Sequence, residues 1–175
     1  NFTGIELRKE QVDINQKRVN SYRLKCKYIQ DDGRNVLKNI SIDSQDLLFS
    51  CPPYYDLEVY SDLKDDASNQ QTYEDFYSIV DTAFTESIKC LKNNRFAVIV
   101  CGDVRDKKTG EYYGFPDDIK ETFIRNGMIL YNEIILIDMV GTAMLRASRY
   151  MNSRKVVKVH QNILVFYKGD IKEIK

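Results

Sequence analysis

The sequence predicts an α/β protein built around a mainly parallel sheet. Short apolar runs alternate with helical patterns, and the run from Phe96 to Cys101 is apolar throughout, as in a strand buried on both faces. Polar groups also follow the predicted strands, and open α/β sheets bind ligands beyond the carboxyl ends of their strands. The 175 residues suffice for a single domain, 1–175, with one core.

The first half of the chain predicts three strands and two helices. Val12 and Val19 lie on one face of the first helix, and the Asp31-Asp32-Gly33 turn precedes the second. The prolines after Ser50 end the third strand, for which we expect a buried position. The predicted elements are a strand at 2–7, a helix at 8–20, a strand at 24–29, a short helix ending near Ile40 and a strand at 46–50.

The second half begins with a polar loop at 54–71, after which Thr72 and Asp75 indicate a helix start. We expect this helix to run to about Leu91 and to be separated from the next strand by Asn93-Asn94. Gly127 closes a further helix. The remaining elements are a strand at 96–101, a charged loop at 103–113, a helix at 115–126 and strands at 128–139 and 162–167. The last two strands have no helix-length apolar pattern between them, so we expect an antiparallel edge.

Charge is balanced in total but segregated along the chain. Twenty-six basic and 26 acidic side chains give a net charge of zero, which argues against indiscriminate coating of nucleic acid. The stretch from Gly141 to Lys158 nevertheless carries only basic charge, on Arg146, Arg149, Arg154, Lys155 and Lys158. No apolar run is long enough for a bilayer and no signal-peptide pattern is present, so we expect a cytoplasmic protein without a membrane partner.

The cysteines do not predict a metal site. The four cysteines show no C-x-x-C spacing, and a single histidine is available to complete a ligand set. We therefore expect reduced thiols and no bound metal.

Two acids at strand exits suit the nucleoside part of a cofactor. A carboxylate such as Glu6 can accept hydrogen bonds from both ribose hydroxyls, and Asp32 could accept one from an adenine amino group. The alternatives are a solvated acid for Glu6 and a turn-forming role before Gly33 for Asp32.

The turn Ser50-Cys51-Pro52-Pro53-Tyr54 is the most informative segment. Two prolines stiffen its backbone, and the tyrosine offers a planar face beside a proline carbonyl. Such a turn can stack an extruded base while oxygen acceptors hold its exocyclic amino group. The alternative is a rigid loop with a surface tyrosine.

This turn resembles the Asp/Asn/Ser-Pro-Pro-Tyr/Phe motif of S-adenosylmethionine-dependent DNA amino-methyltransferases. The strand at 2–7 is similar to their ribose-binding strand, and Asp32 stands where their adenine-contacting acid stands. Further segments resemble phage and prophage DNA methylases, namely 56–61, 94–98, 104–106 and 160–169. The resemblance implies a Rossmann-like class I methyltransferase fold, S-adenosylmethionine as cofactor and double-stranded DNA as partner.

The sequence departs from the family pattern in two places. The family's glycine-rich loop would lie just before Phe2, so we expect the first strand of the sheet to be missing from these residues and to be supplied by an N-terminal segment of the same protein. Cys51 replaces the usual Asp, Asn or Ser, and a thiol is a poor acceptor. Either Ser50 substitutes for it, or backbone carbonyls hold the amino group.

The resemblance therefore predicts methyl transfer to the exocyclic amino group of a flipped adenine or cytosine. The residues at the reacting centre would be Ser50, Cys51, Pro52, Pro53 and Tyr54, with Glu6 and Asp32 at the cofactor. The basic residues of 141–158 would contact DNA phosphates, and we expect that segment to be mobile without DNA. The alternatives are an inactive remnant that binds DNA or a partner chain, a methyltransferase for RNA or protein, and a plain nucleotide-binding module.

Overall fold

The computed structural model describes residues 1–139, 141 and 143–174. Thr142, in the predicted DNA-binding segment, and Val140 and Lys175, in the predicted domain, lie outside the described residues. Within the described ranges, no helix combines the length and apolarity needed to cross a bilayer.

Strands and helices alternate as predicted. The strands are β1 (Phe2–Glu6), β2 (Cys26–Gln30), β3 (Gln45–Ser50), β4 (Leu91–Cys101), β5 (Ile129–Ile137) and β6 (His160–Lys168). The helices are α1 (Lys9–Ser21), α2 (Val36–Asn39), α3 (Tyr73–Cys90), α4 (Phe115–Arg125) and α5 (Ala143–Met151).

The strands form two sheets rather than the single sheet expected from the sequence. β1 and β2 pair in parallel, and the other four strands pair in the order β3-β4-β6-β5. β3 is parallel to β4, whereas β6 is antiparallel to both β4 and β5. The predicted antiparallel pairing of the last two strands is confirmed, but β6 lies inside the sheet and β5 forms its edge.

Helices α3 and α4 cover one face of the four-stranded sheet. Phe123 of α4 stacks on Phe166 of β6 with ring centroids 4.3 Å apart, and both side chains are fully buried. Removing such a buried ring typically costs about 3–5 kcal/mol of stability. In this sheet β3 and β4 run in the same direction, and their carboxyl ends carry the candidate site.

The signals at the helix ends act as the sequence indicates. The Thr72 hydroxyl accepts a hydrogen bond from the Asp75 amide at 3.1 Å at the start of α3. Gly127 follows α4 with a φ of +81°, a conformation that glycine adopts without strain.

Three local expectations are wrong. β4 begins at Leu91 and contains Asn93-Asn94, because a register shift against β3 accommodates the extra residues and Asn94 takes a left-handed φ of 59°. Helix α5 lies between β5 and β6, where the sequence showed no helix-length apolar pattern. The third strand is not buried, since Leu47 and Phe49 are 55% and 58% exposed.

Candidate functional site

Glu6, Asp32 and the turn after β3 line one cavity of about 440 Å³, which lies within the usual range for small-molecule sites. Ser50, Cys51, Pro52 and Pro53 form its wall on the side of β3. The structure therefore brings together residues that the sequence placed at three separate strand exits.

Glu6 is held in place by the residue two positions further on. Its Oε1 accepts hydrogen bonds from the Arg8 amide at 2.9 Å and the Arg8 Nε at 3.3 Å. In the described part of the chain, Oε2 has no hydrogen bond. Glu6 therefore keeps one carboxylate oxygen for a ligand hydroxyl.

Asp32 is more fully engaged than the sequence suggested. Its Oδ1 accepts from the Arg34 amide at 2.8 Å, and the Arg34 guanidinium contacts both carboxylate oxygens. Although burial acts to raise it, the pKa of Asp32 is lowered by these hydrogen bonds and the positive charge of Arg34. An adenine amino group would have to use a lone pair that Arg34 leaves open.

The same two arginines tie the polar loop at 54–71, called the acidic loop below because acidic residues predominate in it, across the cavity. The Arg8 guanidinium lies over the Tyr60 ring, 5.4 Å from its centroid, and the Arg34 Nη2 lies 2.6 Å from Asp65 Oδ1. Both Tyr60 and Asp65 line the cavity. Sequence reasoning missed Arg8 and Arg34, although an arginine two positions after each candidate acid is a usable signal.

The turn after β3 presents Cys51 outward and holds Tyr54 inward. Cys51 is exposed, and its Sγ lies 3.5 Å from the Tyr54 hydroxyl. A Cβ on Gly102, just after β4, would lie 3.4 Å from the Tyr54 ring, so the ring packs closely on this glycine. Burial raises the pKa of the Tyr54 hydroxyl, which the neighbouring Cys51 raises further.

Tyr54 is anchored by residues that the sequence did not single out. Its hydroxyl donates to Gln161 Oε1 at 2.6 Å, and Gln161 Nε2 donates to Asp138 Oδ1 at 3.2 Å. Gln161 is 107 residues from Tyr54 in the chain, and no local pattern marks such a pair.

The predicted DNA-binding residues fall into two groups. Arg146 and Arg149 lie on α5, and they are exposed, as is Arg154 beyond the helix. Lys158 instead points inward, where its Nζ donates to the Asp103 carbonyl at 3.3 Å and burial lowers its pKa.

Lys155 stands between these groups and contacts the charged loop at 103–113. A Cβ on Gly110 would lie 2.7 Å from its Nζ. In the same loop, the Arg105 guanidinium stacks 3.6 Å from the centroid of the Tyr112 ring. The basic segment and the charged loop are therefore neighbours at one end of the sheet.

A second cavity of about 680 Å³ lies between the two sheets. It is lined by β1 and by β3, each of which has one edge without a strand partner among the described residues. Five residues line both cavities: Ile5, Gly33, Ser50, Ala83 and Phe84. The candidate cofactor cavity is therefore continuous with the gap between the sheets.

Among the described residues, no group of three or more His, Cys, Asp or Glu side chains is placed to hold a metal ion. The four cysteines are unpaired thiols, of which Cys90 and Cys101 are buried.

No protein-family model and no curated protein matches the chain. Among solved structures, it is similar to TTHA0409 of Thermus thermophilus, a candidate DNA modification methylase, with 23% identity, a TM-score of 0.59, and 80% of this chain and 52% of that one covered. The complex of TTHA0409 with S-adenosyl-L-methionine matches with 23% identity over 79% of this chain and 54% of that one and a TM-score of 0.56.

Two other solved structures with this fold are described with different nucleic acids as substrates. The PvuII cytosine-N4-specific DNA methyltransferase matches with 15% identity, a TM-score of 0.50, and 80% of this chain and 48% of that one covered. A candidate rRNA methylase of Clostridium thermocellum matches with 10% identity, a TM-score of 0.57, and coverage of 96% and 72%. These likenesses show a Rossmann-like methyltransferase fold, and the chain spans about half the length of TTHA0409.

Proposed function

We propose that this chain belongs to an S-adenosylmethionine-dependent DNA methyltransferase that modifies the exocyclic amino group of a flipped adenine or cytosine. The observation that carries the proposal is the shared cavity of Glu6, Asp32 and the Ser50–Pro53 wall. Two carboxylates that suit a nucleoside line this cavity beside a turn that suits an amino group, and this arrangement supports the proposal.

The polar groups of this cavity fit the cofactor's nucleoside half. Glu6 Oε2 would accept from a ribose hydroxyl, and Asp32 would accept from the adenine amino group. When bound, S-adenosylmethionine supplies a methyl group on a positively charged sulfur. The acidic loop, tied down by Arg8 and Arg34, would limit the access of water to this half of the site.

At the other end of the cavity the turn would hold the target base. Pro52 has a backbone carbonyl but no N–H, and this carbonyl would accept one amino hydrogen. Cys51 or Ser50 would accept the other, and Tyr54 would stack on the ring. The amino nitrogen would form the new bond to carbon while the sulfur–carbon bond breaks, and the nitrogen would then release one proton to water while these acceptors hydrogen-bond to it. Positioning and charge complementarity would account for most of the rate.

DNA is the favoured substrate because a basic segment leaves the sheet at the same edge as the turn after β3. The strand direction puts the carboxyl ends of β3, β4 and β5 at one edge of the sheet, and the segment carrying Arg146, Arg149 and Arg154 leaves from there. An RNA methyltransferase is the second candidate, since an rRNA methylase candidate shares the fold.

The decisive experiment supplies labelled S-adenosylmethionine to the full-length protein with duplex DNA, single-stranded DNA and RNA, and analyses the modified base. Label in N6-methyladenine or N4-methylcytosine of DNA supports the proposal. Transfer to RNA alone would replace it with the second candidate, and no transfer with intact cofactor binding would indicate a remnant that binds only.

We also propose that an extended segment of the same protein pairs between β1 and β3. Both strands present an unpaired edge to the cavity between the sheets, among the described residues, and Leu47 and Phe49 remain exposed beside it. A strand inserted parallel to both would join the two sheets into one. Hydrogen exchange tests this: amides of β1 and β3 should be protected in the full-length protein and exchange quickly in residues 1–175 alone. Equal protection in both would refute the insertion.

A further inference from the structure

Tyr54 ends a short chain of hydrogen bonds that crosses three parts of the fold. Its hydroxyl lies 2.6 Å from Gln161 Oε1 on β6, and Gln161 Nε2 lies 3.2 Å from Asp138 Oδ1, just after β5. Cys51 Sγ lies 3.5 Å from the same hydroxyl.

The chemistry of Asp138 sets the direction of every bond in this chain. An ionised carboxylate only accepts, so the amide of Gln161 must turn its NH₂ toward Asp138 and its oxygen toward Tyr54. The Tyr54 hydroxyl therefore uses its one hydrogen on Gln161. The Cys51 thiol is then the donor to Tyr54, and its sulfur lone pairs are left for another partner.

Asp138 and Gln161 also form the neck of the segment that carries α5. The Asp138 amide donates to the Val159 carbonyl at 2.9 Å, and Ile137 pairs with His160 one step earlier in the β5–β6 ladder. A third neck residue, Lys158, reaches the Asp103 carbonyl behind the Tyr54 ring. The base of the predicted DNA-binding segment therefore contacts the turn that would hold the target base.

We propose that Gln161, oriented by Asp138, is a positioning residue that fixes the Tyr54 ring and couples the neck of the basic segment to the turn. This inference rests on the proposed function for its consequence in catalysis, but the hydrogen-bond chain itself can be tested without any activity. A shift of the neck when α5 meets DNA would move the hydroxyl anchor of Tyr54 and so the plane on which the base stacks.

The test exchanges the polarity of the two neck residues. Gln161→Glu alone places two carboxylates next to each other, which breaks the chain by repulsion. Adding Asp138→Asn restores it, because the asparagine NH₂ can donate to one oxygen of the introduced glutamate while the other oxygen still accepts from Tyr54. Gln161→Leu removes both hydrogen bonds while the side-chain volume stays similar. Asp138→Asn alone should have a small effect on the hydrogen-bond chain, because the asparagine amide can turn its oxygen toward Gln161.

The first readout is structural and does not depend on the substrate. With 3-fluorotyrosine introduced only at position 54, the fluorine resonance should shift in Gln161→Leu and Gln161→Glu and return toward the wild-type position in the double variant. Gln161 variants that show this shift while melting at the wild-type temperature exclude a general folding defect. An unchanged resonance in Gln161→Leu would overturn the hydrogen-bond chain.

The second readout is methyl transfer by the full-length protein. Gln161→Leu should lower kcat by roughly three- to tenfold, the size expected of one hydrogen bond, with cofactor affinity unchanged. The double variant should recover most of this loss, and Gln161→Leu should cause no further loss in a Tyr54→Phe background. Failure of the double variant to recover would overturn the positioning role. Absence of transfer by the wild-type protein would count against the proposed function instead, and the fluorine resonance would still decide the chain.

Discussion

Tyr54 has two roles, one for its ring and one for its hydroxyl. The ring packs on Gly102, while the hydroxyl is committed to Gln161. Stacking of a base on an aromatic ring is worth roughly 1–3 kcal/mol. The two contributions can be separated because phenylalanine keeps the ring and loses only the hydroxyl.

We predict that Tyr54→Ala lowers kcat/KM for DNA by a factor equivalent to roughly 1–3 kcal/mol. The loss of kcat/KM in Tyr54→Phe should be smaller. Cofactor affinity should barely change in either variant, because under the proposed function Glu6 and Asp32, rather than Tyr54, would hold the nucleoside half. Steady-state kinetics and calorimetry measure the two quantities. Equal losses for both variants would show that the hydroxyl, rather than the face of the ring, is what matters.

Cys51 is the residue at which the turn departs from the motif it resembles. The thiol is exposed and lies beside Tyr54, but sulfur is a weak hydrogen-bond acceptor. We predict that Cys51→Ser transfers methyl groups at least as fast as the wild type. In Cys51→Ala the activation free energy should rise by ~1 kcal/mol, the contribution of one hydrogen bond. Single-turnover rates compare the three proteins. A fast alanine variant would mean that the Pro52 carbonyl and Ser50 suffice.

At the element scale, the sequence predicted the order and type of most strands and helices, because their apolar periods and end signals are local. Thr72 and Gly127 act as they do in isolated helices. The start of β4 could not be predicted, because Asn93-Asn94 interrupts the apolar pattern of the sequence. These residues lie within a strand only because β4 pairs with β3 on both sides of them. The candidate site shows the same division: Glu6, Asp32 and the turn carry motifs, whereas Gln161 acts through a partner 107 residues away.

Helix α5 and the residues that follow it carry the basic charge of this segment. Arg149 and Arg154 are exposed and Lys155 is partly exposed, whereas Lys158 is turned toward Asp103. We predict that neutralising Arg149, Arg154 and Lys155 together weakens DNA binding and lowers the slope of log K against log salt by about 1 per lost phosphate contact.

A matched triple variant provides the control for total charge. Lys17, Arg18 and Lys25 are exposed near α1, and neutralising them removes the same charge from another surface. Their loss should leave the slope unchanged. If both triple variants flatten the slope equally, the effect comes from net charge and not from a DNA interface at α5.

At the scale of the whole molecule, the gap between the sheets limits what the described residues can bind. Glu6 and Asp32 line the candidate cavity, and five other residues of its lining also line the cavity between the sheets. Close approach of a backbone to the methionine half of the cofactor requires residues without a Cβ, and Gly33 is the one glycine in the lining of this cavity among the described residues.

We therefore predict that residues 1–175 alone bind S-adenosylmethionine more weakly than micromolar, and that adenosine binds them about as well. The reason is that Glu6 and Asp32 can hold only the nucleoside, so the methionine half adds little. Calorimetry with both ligands measures the difference directly. Glu6→Gln and Asp32→Asn should weaken both ligands by the same factor, because under the proposed function each carboxylate would contact a group that the two ligands share. Micromolar affinity for S-adenosylmethionine with much weaker adenosine binding would contradict this, and it would mean that the described residues already grip the methionine half across the open side of the cavity.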